Sequence, residues 1–304
     1  MSPSPSNSTL GPAEYGLYAA TVVIFGTGWL PLRLQLGVVD PEVSGFWRFL
    51  TAAVVMFAVV LISRGRLRFS LRDHLLFAGL GATLFSLNFL GFYYAGYHLT
   101  SGLLSVLFAL AAVFIPLMSA VVHRVRPSPR ILVGALMGIA GVAMVFGPAL
   151  QETGLGSGMH LGLLAGLGGT LAFSIGSLMS AEAGRRRLPQ ASINAFGMAY
   201  GCLVFLAGAL LTGGTFQVEW TGRYLGALSY LILVPTLLGF AVYMQLISRI
   251  GPNRAGYGTV MFPIVALLIS TLFEGYHWTL LAGLGVVCVL AGNVVVLSAP
   301  RRIG

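Results

Sequence analysis

The residues of this 304-residue chain that could do chemistry are nearly all uncharged. Asn88 sits in the apolar run LFSLNFLGF, Ser174 and Ser177 in LAFSIGSL, Thr27 and Trp29 in VIFGTGWL, and Ser105 in SGLLSVLF. Tyr243 and Gln245 lie in AVYMQL, and Tyr257 in AGYGTV. Amides and hydroxyls in such runs can hold a zwitterion by hydrogen bonds. Rings can stack on an aromatic guest or meet an ammonium by cation–π contact. Asn88 leads these substrate-binding candidates, because an amide facing hydrocarbon is costly and offers both a donor and an acceptor. Its alternative is an interhelical hydrogen bond. For the serines and threonines the alternative is a bond to the preceding turn of their own helix. Tyr15, Tyr18, Trp220, Tyr224 and Trp278 are assigned instead to an interfacial belt.

Pro116, Pro235 and Pro263 interrupt apolar runs, and each frees a backbone carbonyl. They are candidate hinges or static kinks. No Asp, Glu, Arg or His falls near the middle of an apolar run. That argues against a buried carboxylate relay and against an intramembrane enzyme, and leaves proton coupling and facilitated diffusion both open. Arg48 could attract a carboxylate near the exit or pair with Asp40 or Glu42, and the pair is favoured. Glu274 and His277 form a candidate titrating pair, with a solvated loop as the ordinary alternative. Nothing matches a metalloprotease helix, nucleophile elbow or phosphate loop, so no cofactor and no metal are expected.

The elements that must position these residues are membrane helices. Hydrophobic residues make up 57% and charged residues 8% of the chain, with a mean hydropathy of +0.90. About 20 apolar residues cross a hydrocarbon core of about 30 Å. That ruler gives ten segments near 15–32, 42–63, 73–97, 101–122, 131–148, 160–181, 190–212, 223–248, 254–273 and 279–298. Backbone groups in lipid must pair within their own span, so the segments are helical. There is no lysine, and the arginines crowd every second gap, as in Arg64–Arg72, Arg124–Arg130 and Arg185–Arg187. Only Arg33, Arg48 and Arg223 fall on the other side. Basic loops stay cytoplasmic, so both termini are cytoplasmic. The same bias explains the net charge of +9 without nucleic acid. Cys202 and Cys288 are read as buried small hydrophobes.

The chain also repeats. At an offset of 148, VIFGTGWL lies over LAFSIGSL and Pro41 over Pro189. At an offset of 151, Gly134 lies over Gly285 and Ala140–Gly141 over Ala291–Gly292. The expected organisation is a disordered tail (1–14), a first five-helix repeat (15–148), a periplasmic linker (149–159), a second repeat (160–298) and a cytoplasmic tail (299–304). A duplicated unit with an odd number of spans must insert in opposite senses, which makes the halves inverted repeats.

Phe25–Gly26, FWRFL with Arg48, Pro263 followed by Glu274, and the Gly285…Ala291–Gly292 run together resemble the ten-span EamA-type members of the drug/metabolite transporter superfamily. The likeness covers the whole chain, and within the superfamily the chain looks like bacterial amino-acid exporters, including exporters of aromatic amino acids. The first half departs from the pattern: Ala112 and His123 stand where the second half has Pro263 and Glu274, and Pro116 comes late. The resemblance implies an exporter of amino acids or related metabolites (phenylalanine, tyrosine, tryptophan, methionine, threonine) in the bacterial inner membrane. Multidrug export and a passive channel remain the competing functions. A small solute and the bilayer are the expected partners; oligomeric state is open, a monomer being sufficient.

Overall fold

A computed structural model describes residues 11–153, 158–239, 241–243, 245–246, 249–250 and 258–298. Helices α1 (Pro12–Thr27) and α2 (Trp29–Leu34) make the first apolar length, and α3 (Pro41–Ile62) the second. The third is α4 (Leu71–Ala82), a π-helical segment (Thr83–Leu87) and α5 (Asn88–Gly96). Helices α6 (Ser101–Ala109) and α7 (Ala111–Val122) form the fourth, followed by α8 (Pro129–Thr153), α9 (Met159–Arg185) and α10 (Gln190–Thr212). Then come α11 (Gly222–Leu231) with a second π-helical segment (Ile232–Leu238), α12 (Gly258–Phe273) and α13 (Leu280–Leu297). Among the described residues nine helical lengths are long and apolar enough to span a membrane, with a shorter apolar helix at Val260–Phe273. No strand occurs among them. Helix begins at Pro12 and runs on to Thr153, within stretches expected to be tail and linker. Residues 1–10, 154–157 and 299–304, which are the greater part of the first tail, the middle of the linker and the whole of the second tail, lie outside the described residues.

Local chemistry sets the helix ends. Ser70 and Asp73 cap α4 reciprocally, Thr221 caps α11 and Thr279 caps α13 through their hydroxyls. Three helices end on an arginine at positive φ: Arg64 (52°), Arg124 (53°) and Arg187 (53°). In each, the next residue returns an N–H to a carbonyl of the last turn, as Gly65 does to Val60 at 2.7 Å. All three lie in arginine-rich gaps, where the side chain also meets the negative end of the helix. Large exposed side chains such as Ile62, Leu211 and Leu280 cover the outside, as suits a protein whose solvent is hydrocarbon.

The two halves pack reciprocally. Equivalent helices pair across them: α3 with α10, α6 with α12, and α8 with α13. At the α8–α13 crossing a Cβ added to Gly141 would stand 2.5 Å from the Gly285 carbonyl, and one on Gly285 2.6 Å from the Gly141 carbonyl. Gly134 and Gly292 answer each other in the same way, at 2.6 and 2.8 Å. At the offset of 151, Gly134 aligns with Gly285 and Gly141 with Gly292. The crossing is antiparallel, since Gly134 meets Gly292 while Gly141 meets Gly285. The π-helical segments are a second shared feature. Each carries a hydroxyl reaching back five residues to a carbonyl: Ser86 to Gly81 at 2.8 Å and Thr236 to Leu231 at 2.7 Å.

Candidate solute-binding site

The second π-helical segment builds one side of the site. Pro235 has no N–H to offer Leu231 O, and the Thr236 hydroxyl donates there instead. That leaves the lone pairs of Thr236 Oγ1 facing α3, where they accept from Arg48 Nη2 at 3.1 Å and Nε at 3.3 Å. Arg48 lies seven residues into α3, about 10 Å along the axis from Pro41, and is 3% exposed. Its guanidinium rests 4.3 Å from the Phe89 ring centroid and 5.2 Å from that of Phe49. Neither Asp40 nor Glu42 pairs with it, contrary to the sequence expectation. Glu42 instead accepts from the Tyr94 hydroxyl at 2.5 Å. Arg48 Nη1 is buried with no hydrogen-bond partner. A charge therefore does lie inside a span, which corrects the expectation of an uncharged interior.

Polar groups continue from Arg48. The Tyr93 hydroxyl lies beside the guanidinium and donates to Gln35 Oε1 at 2.6 Å, while Gln35 Nε2 is buried without a partner. Ser44 shares a 3.0 Å bond with the Tyr224 hydroxyl. Tyr224 is fully buried, not part of an interfacial belt. Tyrosine at a helix start suits either place; only tertiary packing separates them.

Beyond Gln35, at the arginine-poor end of the helices, a cavity of about 390 Å³ is lined by Leu30, Arg33, Leu34, Leu36, Arg223 and Glu274, among others. Glu274 is not a solvated loop residue: its side chain is 5% exposed and pairs with Arg33. It also accepts from the Ser101 hydroxyl and, at 2.9 Å, from the Ser101 N–H. Arg33 Nε holds Gly96 O at 3.1 Å. The ends of α2, α5, α6 and α12 are thereby tied together, and His277 stands exposed outside the cluster. Burial alone would raise the Glu274 pKa; the bonds from Ser101 and Arg33 outweigh it and hold the carboxyl below its ordinary value. A depressed carboxylate pKa contributes stability that is present above the unfolded value and lost only as pH falls through the folded one. The thermal midpoint of the purified protein should therefore gain no Glu274-dependent fall between about pH 8 and about pH 5. A fall in that window that Glu274→Gln removes would contradict the assignment.

Two stretches, 14–147 and 160–298, match the family described as the EamA-like transporter family. The chain belongs to the EamA-like transporter family. It is 24% identical over 276 residues to the uncharacterized transporter YvbV of Bacillus subtilis (strain 168), covering 88% of this chain and 87% of that one. It is 25% identical over 264 residues to the uncharacterized inner membrane transporter YedA of Escherichia coli (strain K12), covering 86% and 83%. A solved crystal structure superposes with a TM-score of 0.63 at 20% identity, over 93% of this chain and 96% of that one. This EamA-like protein is thus a multi-pass membrane transporter.

Within the transporter, the residues singled out from sequence are differently placed. Asn88 donates to Leu84 O of its own helix at 3.1 Å, not to another helix. Ser174 and Ser177 likewise return to Thr170 O and Phe173 O. Thr27 bonds Val23 O and, across to the second half, the Tyr230 hydroxyl at 2.5 Å. Trp29 packs edge-on to Phe92 at 4.9 Å, in the core. Tyr243 meets Phe25 edge-on at 6.2 Å, and Gln245 is exposed. Ser105 is buried, its hydroxyl without a partner. Tyr257 lies outside the described residues. Pro116 sits within α7, six residues past the break at Leu110; Pro263 is buried within α12, and Pro235 within the second π-helical segment. Sequence reasoning missed Gln35, Tyr93 and Thr236 as a set with Arg48. The FWRFL arginine was the available signal.

Proposed function

We propose that this transporter is a secondary exporter of amino acids (aromatic ones, methionine, threonine) or related small metabolites across a bacterial inner membrane. It works by alternating access between two inverted repeats with cytoplasmic termini. The observation that carries the reading is the reciprocal, antiparallel packing of equivalent helices around a polar seam, with Arg48 of one half on Thr236 of the other. Inverted halves have two equivalent ways to close, one toward each side of the membrane. The arginine bias supports the orientation, and the inner-membrane relative supports the location. Gly28 stands 3.6 Å from Pro235 at the added-Cβ position, which puts a helix break beside the α1–α2 junction, where bending is expected.

Expression in cells fed phenylalanine-containing dipeptides tests this function. Excretion of phenylalanine above that of the empty-vector strain is the expected result. Resistance to cationic dyes with no amino-acid excretion would replace it with multidrug export.

A further inference from the structure

We propose that Arg48 binds the carboxylate of the transported solute and so restricts this protein to anionic or zwitterionic cargo. The inference rests on the metabolite-exporter reading above and names the chemical class of its site. A guanidinium carries five N–H donors and no acceptor. In Arg48 the Nε and Nη2 donors converge on one neutral oxygen, Thr236 Oγ1; the Tyr93 hydroxyl is the other polar group against the guanidinium, also neutral, and Nη1 makes no hydrogen bond of good geometry. A second donor, Gln35 Nε2, is buried and unpartnered beside the Tyr93 hydroxyl that faces the guanidinium. Both orphans are donors, so the missing guest is an acceptor; beside an uncompensated positive charge it is an anionic one. A carboxylate supplies two oxygens that match the guanidinium fork.

The rest of the surroundings agree. Among the described residues no acid forms an ion pair with Arg48. The rings of Phe89 and Phe49 offset only part of the desolvation of a buried cation. An arginine inside a span is costly wherever no anion meets it. The outer mouth, by which an exported solute leaves, is suited to anions as well. The cavity that Leu34 and Leu36 line, on either side of Gln35 in sequence, holds Arg33 and Arg223 against the single carboxylate of Glu274. The three arginines that break the charge bias are thus two at the outer mouth, the exit of an exporter, and one within.

Reconstituted protein is given phenylalanine, N-acetylphenylalanine, phenylalanine methyl ester and phenethylamine, and initial uptake into liposomes is measured for each. The two acids should be moved and the ester and amine slowed by about tenfold or more. Arg48→Gln should raise KM for the acids by about 10- to 100-fold, and Arg48→Lys should recover part of the loss. Ester and amine moving as fast as the acids would overturn the inference while leaving the exporter reading intact. So would an Arg48→Gln protein that elutes as a single species and keeps the KM for acids. If the unmodified protein moves none of the four, both the inference and the exporter reading fail. The acid-against-ester comparison uses the unmodified protein, so it stands even if the variant does not fold.

Discussion

Leucine in place of Gly141 should prevent the protein from folding to a single species, because the added side chain starts 2.5 Å from a backbone carbonyl, Gly285 O. The Val289 side chain lies at 2.7 Å and its backbone nitrogen at 2.8 Å, so no flexible group can yield. Overpacking of a well-packed core by extra methylenes costs about 1–3 kcal/mol; a crossing closed by backbone on both sides should exceed that. Gly285→Leu should behave alike, since it meets Gly141 O at 2.6 Å. Gly168→Leu is the control, having nothing within 4 Å. Size-exclusion profiles and thermal midpoints in detergent check it. A monodisperse Gly141→Leu protein with an unchanged midpoint would show that the two halves do not cross here.

The second large effect belongs to Glu274. Its carboxylate receives Arg33 and both donors of Ser101, so Glu274→Ala strands a guanidinium and an N–H at once. Breaking a fully buried pair costs about 3–5 kcal/mol. Arg33 is 35% exposed, so solvent relieves part of this and a loss of about 1–3 kcal/mol is expected. The coupling is the sharper quantity. A double-mutant cycle of Arg33→Ala and Glu274→Ala should give about 1 kcal/mol or more. A coupling near zero would mean that the contact does not join α2 to α12. Because the tie sits at one end of the helices, its loss should also change the maximal transport rate more than the KM.

Much of the fold could be read in the chain because lipid imposes few rules and strict ones. Apolar length marks the spans, and arginine marks the loops. The offset of 151 already singles out Gly134, Gly141, Gly285 and Gly292, which meet in space crosswise, Gly134 on Gly292 and Gly141 on Gly285. The π-helical segments were not legible, since they differ from α-helix by one backbone register and only Pro235 hints at one. The polar candidates show a similar limit. Asn88, Ser174 and Ser177 lie at suitable depth, yet their own helices take their hydrogen bonds. Whether a hydroxyl turns back or outward is decided by neighbours distant in sequence. Arg48 shows the reverse. Its position near a segment start made Asp40 and Glu42 the natural partners. The actual ones come from α5 and the segment after α11, and Thr236 is 188 residues away.

The most direct test of the whole account is counterflow. Proteoliposomes loaded with unlabelled phenylalanine are diluted into a trace of labelled phenylalanine, with and without a pH gradient. An exporter that alternates between two closed states predicts transient accumulation of label above equilibrium, saturable with outside substrate and dependent on the unlabelled pool inside. Label that only equilibrates, at a rate proportional to concentration, would contradict alternating access and leave a passive channel.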